Sequence, residues 1–103
     1  MTSPAEPTAG TVRIVWSGSL DLANAVGLGR DARAALDRDG VTNLIIDLGG
    51  VTFMDSTVLG ELVAILTRAD DRGVRVQLES IPSRVQVLLD VTGVGTLFED
   101  DPA

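Results

Sequence analysis

Asp55, Ser56 and Thr57 stand together just after an apolar run, Leu44 to Leu48, and the segment Gly49 to Met54 that follows it. At the start of a helix, such side chains can do two kinds of work. Asp and Ser are favoured N-caps, because their oxygens accept from backbone N–H groups that have no partner inside the helix. A Ser placed there is also a hydroxyl held out to solvent, where a kinase can modify it and a partner can read the added charge. On the residues alone Ser56 supports both readings. Asp55 reads as a cap or first-turn acid, or as part of a switch, and Thr57 as a second cap or an alternative phosphorylation site.

Other chemistry has little to build on. The chain of 103 residues contains no Cys and no His, and each of its 8 basic residues is Arg. That removes thiolate chemistry, Cys/His zinc sites and His-based acid–base catalysis. Asp21, Asp47 and Asp55 could be imagined as a cation or phospho-aspartate site. Their simpler roles are a cap on the first helix for Asp21 and an Arg or backbone partner for Asp47. Without Lys the second kind of pocket lacks its usual cation. Gly49-Gly50 lacks the Lys-Ser/Thr of a phosphate-binding loop. We therefore expect no enzyme, no cofactor and no metal. With 15 acidic residues and a net charge of −7, direct binding to nucleic acid or an anionic membrane is unfavourable. No stretch is long enough to span a bilayer and no signal pattern opens the chain, so a cytoplasmic location is expected. Arg68, Arg72 and Arg75 read as helix-end and solvated charges, and Trp16 as a core residue.

The elements that must position these residues follow from periodicity. Residues 1–10 carry Pro4 and Pro7 without an apolar pattern and read as a flexible tail. Thr11 to Trp16 alternates, with Val12, Ile14 and Trp16 on one face, and Ser17 to Ser19 should break the strand. Asp21 to Arg38 has helical spacing through Leu22, Ala25, Leu28, Ala32, Ala35 and Leu36. Gly27 and Gly29 weaken this helix, and Gly40 is its expected stop. Asn43 to Leu48 reads as a strand covered on both faces, with a turn at Gly49-Gly50. Ser56 to Asp71 is the second helix, burying Val58, Leu59, Leu62, Val63, Leu66 and Ala69, and Arg72-Gly73 ends it. Val74 to Leu78 alternates again. A third helix should begin with Pro82 in its first turn, capped by Ser80 or Ile81, and run to Val91. Gly95 to Phe98 suggests a short edge segment, and residues 99–103 an acidic end. Strands alternating with helices imply an α/β domain over 11–98, with a mixed, mostly parallel sheet and Ser56 at the N-terminus of the second main helix. Function in such sheets gathers at the carboxyl ends of the strands.

Three segments resemble one family. Val51-Thr52-Phe53-Met54-Asp55-Ser56-Thr57 with Leu59-Gly60 is similar to the signature of STAS domains, in particular the bacterial anti-sigma factor antagonists. Gly18-Ser19-Leu20-Asp21 resembles the family's Gly-Glu-Leu/Ile-Asp segment. Val87-Leu88-Leu89-Asp90-Val91-Thr92-Gly93-Val94 resembles its Leu-Phe-Asp-Ile-Thr-Gly-Leu stretch. Val58 stands where the family has Gly, and Ser19 where it has Glu.

The resemblance implies a transcription-regulating switch. The unphosphorylated form would bind an anti-sigma factor that is also an ATP-dependent serine kinase, and so free a sigma factor. Phosphorylation of Ser56 would end that binding and a phosphatase would reset it. The implied partner surface is Asp21, Asp55, Ser56, Thr57 and Val58. Two alternatives are a STAS subunit that docks on an ABC transporter ATPase without being phosphorylated, and a scaffold component of a signalling assembly.

Overall fold

The computed structural model describes residues 10–98. The expected N-terminal tail, apart from Gly10, and the acidic end 99–103 lie outside the described residues. The order is β1 (Thr11–Leu20), α1 (Leu22–Leu36), β2 (Asn43–Met54), α2 (Ser56–Arg72), β3 (Arg75–Glu79) and α3 (Ser83–Thr92), then a 3₁₀ turn at Val94–Phe98. Among the described residues the strands form one sheet in the order β1-β2-β3, with both pairings parallel. This is the α/β architecture anticipated from the alternating pattern.

Two strands run further than their sequence suggests. Ser17 to Ser19 does not break β1, and Gly49-Gly50 does not turn β2; the two strands stay paired to Leu20 and Met54. The ladder absorbs the small residues through irregularities between Val15 and Ser17 and between Gly18 and Ser19. Gly18 there has φ +80°, which costs a glycine little. A Cβ on Gly50 would lie 2.9 Å from Ser17 Cβ. The glycines let the two strands approach rather than separate.

Among the described residues the sheet is covered by helices on one face. Val12, Ile14, Trp16, Leu44, Ile46, Leu48 and Val76 are buried beneath α1 and α2, which also pack on each other. Asn43, Ile45 and Asp47 on the opposite side of β2 are only half-buried, so the expectation of cover on both faces fails. A polar lattice shades that side instead. Arg13 bridges Asp47 at 2.9 Å and Glu79 at 2.6 Å, and Asn43 donates to Gln77 at 3.1 Å. Arg13 and Gly49 N–H, at 2.8 Å, hold the Asp47 carboxyl below its ordinary range, the backbone bond counting most and the Arg13 guanidinium next.

The helices follow their apolar stripes with two exchanges. α1 buries Ala25, Gly29, Ala32, Ala35 and Leu36 but leaves Leu22 exposed, because the first residue of the helix sits above the core. α2 buries Val58, Leu59, Leu62, Ile65 and Ala69, with Ile65 in place of the expected Val63. Gly29 is a contact point and not merely a weak spot. A Cβ there would collide with the Glu61 carboxylate, which accepts from Arg33 at 2.9 Å. α1 ends at Asp37, before Gly40, and α2 ends at Gly73 in the left-handed conformation. Pro82 is the N-cap residue of α3, and neither Ser80 nor Ile81 caps it; no side-chain bond closes that end. The expected edge segment at Gly95 to Phe98 is the 3₁₀ turn, seated by buried Phe98.

Candidate functional site

The parallel register decides what meets at the carboxyl rim. Leu20 pairs with Met54 as the last residues of β1 and β2, so the next residues, Asp21 and Asp55, leave the sheet side by side. Each is extended and each caps the helix that follows. The Asp55 N–H donates to the Leu20 carbonyl at 3.1 Å, fastening the start of α2 to β1.

The Asp55 carboxylate accepts from Thr57 N–H at 3.0 Å and from Val58 N–H at 3.3 Å. Two orphan donors of the helix are thereby satisfied. Asp55 does the capping, which leaves Ser56 free of that task. Ser56 is the first residue of α2, is exposed, and its hydroxyl has no hydrogen-bond partner among the described residues. Thr57 is half-buried beside it. The Val58 side chain is fully buried, so it turns into the core and cannot meet a partner. Its inclusion among the surface residues is corrected: the bulk that replaces glycine is directed inward, away from Ser56.

Asp21 accepts from Ala23 N–H at 3.0 Å, and its own N–H donates to Asn24 Oδ1 at 2.9 Å. Asn24 also donates to the Ser19 carbonyl at 2.8 Å. Asp47 is engaged with Arg13 and Gly49 on the open sheet face and does not join the rim pair. Among the described residues no group of three or more acidic side chains could hold a metal ion.

Beside Ser56 lies a surface that sequence reasoning missed. Phe53 is 50% exposed, and across from it on α3 Val87 and Val91 are 60% and 79% exposed. With Met54, Val85 and Leu88 they line a shallow groove of about 450 Å³, and Arg84 stands at its edge. A second depression on the far side of Arg84 is lined by Val51, Thr52, Pro82 and Ser83. The signal was present in the apolar content of α3. Val85, Val87, Leu88, Leu89 and Val91 within ten residues are more than one buried stripe can hold. Among the described residues no helix is long and apolar enough to cross a membrane.

Known structures share this architecture. The unphosphorylated form of the anti-sigma factor antagonist SpoIIAA superimposes with a TM-score of 0.81 at 22% identity, covering 98% of this chain and 88% of that one. The phosphorylated form of the Bacillus cell fate determinant SpoIIAA gives 0.74 at 21% identity, covering 98% and 91%. The STAS domain of a SulP transporter from Vibrio cholerae gives 0.69 at 25% identity, covering 92% and 72%. At such identities these likenesses concern the fold. The family itself is fixed by sequence, since the STAS domain model matches residues 4–101, and the chain belongs to the STAS domain family.

Proposed function

We propose that this chain is an anti-sigma factor antagonist whose partner binding is switched by phosphorylation of Ser56. One observation carries the reading: an exposed hydroxyl without an internal partner opens α2, beside two carboxylate caps that hold the surrounding backbone. Structural likeness to SpoIIAA, known in unphosphorylated and phosphorylated forms, supports it. The unphosphorylated chain binds an anti-sigma factor that is also a serine kinase, releasing the sigma factor to transcription. Its contacts are Asp21, Asp55, Ser56 and Thr57.

In the transfer step the Ser56 oxygen attacks the γ-phosphorus of Mg-ATP on the kinase. The bond to ADP breaks, and the hydroxyl proton passes to a base of the kinase. The product carries about −1.5 to −2 charges at neutral pH. It stands beside Asp55 and Asp21 on a chain of net charge −7. Helix N-termini normally accommodate anions, but Asp55 already occupies the Thr57 and Val58 N–H groups. The phosphate therefore faces outward, toward the surface that a partner must desolvate. Repulsion and desolvation end the complex without refolding, and a phosphatase restores the hydroxyl. In this reading the chain performs no catalysis of its own, needs no cofactor and works in the cytoplasm.

The test is incubation with the anti-sigma factor serine kinases of the source organism and Mg-ATP, with the phosphate mapped by mass spectrometry. Wild type and Ser56→Ala should bind, Ser56→Asp should not, and phosphate should be found on Ser56. No binding by wild type or Ser56→Ala, with no phosphate on Ser56, overturns the proposal. Likeness to the STAS domain of a SulP transporter supports a transporter-linked role as a second reading, and within it the rim would be a constant docking patch whose candidate partner is a transporter ATPase. Recovery of such an ATPase, by wild type and Ser56→Asp alike, would select it.

A further inference from the structure

The groove between Phe53 and α3 begins three residues before Ser56 and plays no part in the switch described above. Its walls are apolar, from Phe53, Met54, Val87, Leu88 and Val91. A monomer gains nothing by exposing Val87 and Val91 on consecutive turns of one helix, and such patches mark interaction sites. The edge of the groove is cationic. Arg13, Arg33, Arg68 and Arg72 are held in ion pairs; Arg84, like Arg30 and Arg38, forms none with the described residues, and of these three it alone lines the two depressions. α3 has ten residues, about 15 Å at 1.5 Å per residue. An apolar trough of that length matches two to three turns of a helix laid along it, with anchors spaced i, i+4 and i+7.

We infer that the Phe53–α3 groove is a second docking surface, which takes an amphipathic helix carrying a carboxylate opposite Arg84. Its apolar stripe covers Phe53, Val87 and Val91, and its Asp or Glu pairs with the Arg84 guanidinium. An anionic bilayer would also supply apolar matter and negative charge, but it is repelled by the rest of this acidic chain. A helix brings its single carboxylate to the one cation and leaves the remaining surface alone. That the helix belongs to the anti-sigma factor rests on the proposed switch; that the groove accepts a helix does not.

The probe is a synthetic peptide of fourteen residues, Ala-rich and helical, with leucines at i, i+4 and i+7 and one Glu placed to meet Arg84. It is titrated into the isotope-labelled full chain and followed by amide chemical shifts. Expected are shifts confined to Phe53, Met54 and 84–91, an affinity about tenfold weaker for Arg84→Glu, and recovery of that loss when the peptide's Glu is replaced by Arg. Val87→Ser/Val91→Ser, exposed positions where folding is insensitive, should weaken binding by a similar factor with an unchanged melting temperature. Absence of groove shifts up to millimolar peptide, or an affinity indifferent to both Arg84→Glu and the serine pair, overturns the inference. A kinase that binds wild type and is rejected by Ser56→Asp, while the peptide finds no groove, upholds the switch alone. Peptide binding without any kinase binding upholds the groove alone.

Discussion

The starts of α1 and α2 are built from the same parts and differ in what secures them. Both follow strands that end in register, and both carry an Asp cap. At α1 the third helical residue is Asn24, which reaches back to the Asp21 N–H and also ties to Ser19. That end is closed by its own polar side chains. At α2 the equivalent residue is Val58, which faces the core, and the Asp55 N–H is taken by Leu20 of the neighbouring strand. Holding α2 through its core side and through β1 frees the outer side. There the Ser56 hydroxyl stands without a bond to the described residues, on a scaffold that does not need it. A modifiable position is thus bought by moving the fastening of the helix to its inner face.

Replacing the inner fastening should have the largest effect. Val58→Gly removes a fully buried side chain and adds a helix penalty, together about 2–4 kcal/mol. Asn24→Gly, at the matching place in α1, removes only exposed polar contacts and should cost about 1–2 kcal/mol. Urea unfolding of both variants checks the order, and an equal loss would mean that α2 is not anchored through its core side. Next come the caps. Asp55→Ala leaves two N–H groups without their acceptor and should cost about 1–2 kcal/mol. Asp21→Ala also removes the side-chain acceptor of Ala23 N–H and of the Asn24 backbone N–H, but the Asn24 side chain still fastens the start of α1, so it should cost about 0.5–1 kcal/mol. Thermal denaturation of the pair would reverse this ranking if the Asn24 box were the stronger device.

Much of this contrast could be read in the sequence, and the part that could not is instructive. Asp21 as a cap, the Asp47–Arg pair, Trp16 in the core and the helix at Ser56 all follow from local type and period. Two errors came from glycine. Gly49-Gly50 and Gly18 read as breaks because local propensity is against strand there, yet parallel pairing to Leu20 and Met54 carried both strands through. Gly29 read as a weakness because its partner, Glu61, lies 32 positions away on α2. Val58 carries two expectations, burial from its place in the helical stripe with Leu59 and Leu62 and partner contact from the family resemblance, and the structure bears out the first and overturns the second. The α3 groove was missed because a search for hydroxyls and carboxylates passes over exposed valines.

A smaller effect comes from two carboxylates that lie outside the rim pair. Asp47 and Asp37 have carboxyls held below the ordinary value of 3.8, Asp47 by Gly49 N–H and Arg13, Asp37 by Arg68. For a lowered pKa, the stabilisation is present above the unfolded value and is lost as pH falls through the folded one. Stability should therefore fall in the window that opens near pH 3.8 and extends below it. Asp47→Asn should flatten part of that limb in an acid titration followed by circular dichroism. An unchanged acid limb would show that these pairs are too well solvated to matter.

The smallest effect on folding is the one that tests the switch most directly. Ser56 and Leu22 are both first residues of their helices, both exposed, and each follows an Asp cap. An Asp at either place gains from the helix dipole, by about 0.3–1 kcal/mol, and loses a comparable amount to the adjacent carboxylates. Ser56→Asp and Leu22→Asp should thus leave the stability within about 0.5 kcal/mol of wild type. The complex should treat them differently. Ser56→Asp puts charge where a neutral hydroxyl must be desolvated against the kinase, and should abolish binding. Leu22→Asp adds the same charge one strand away and should weaken binding by only a few fold. If the two variants bind alike, the kinase responds to the total charge of the rim, and Ser56 holds no privileged place in it. If Ser56→Asp also unfolds the start of α2, seen as lost amide protection at Thr57 and Val58, the switch acts through structure and not through charge.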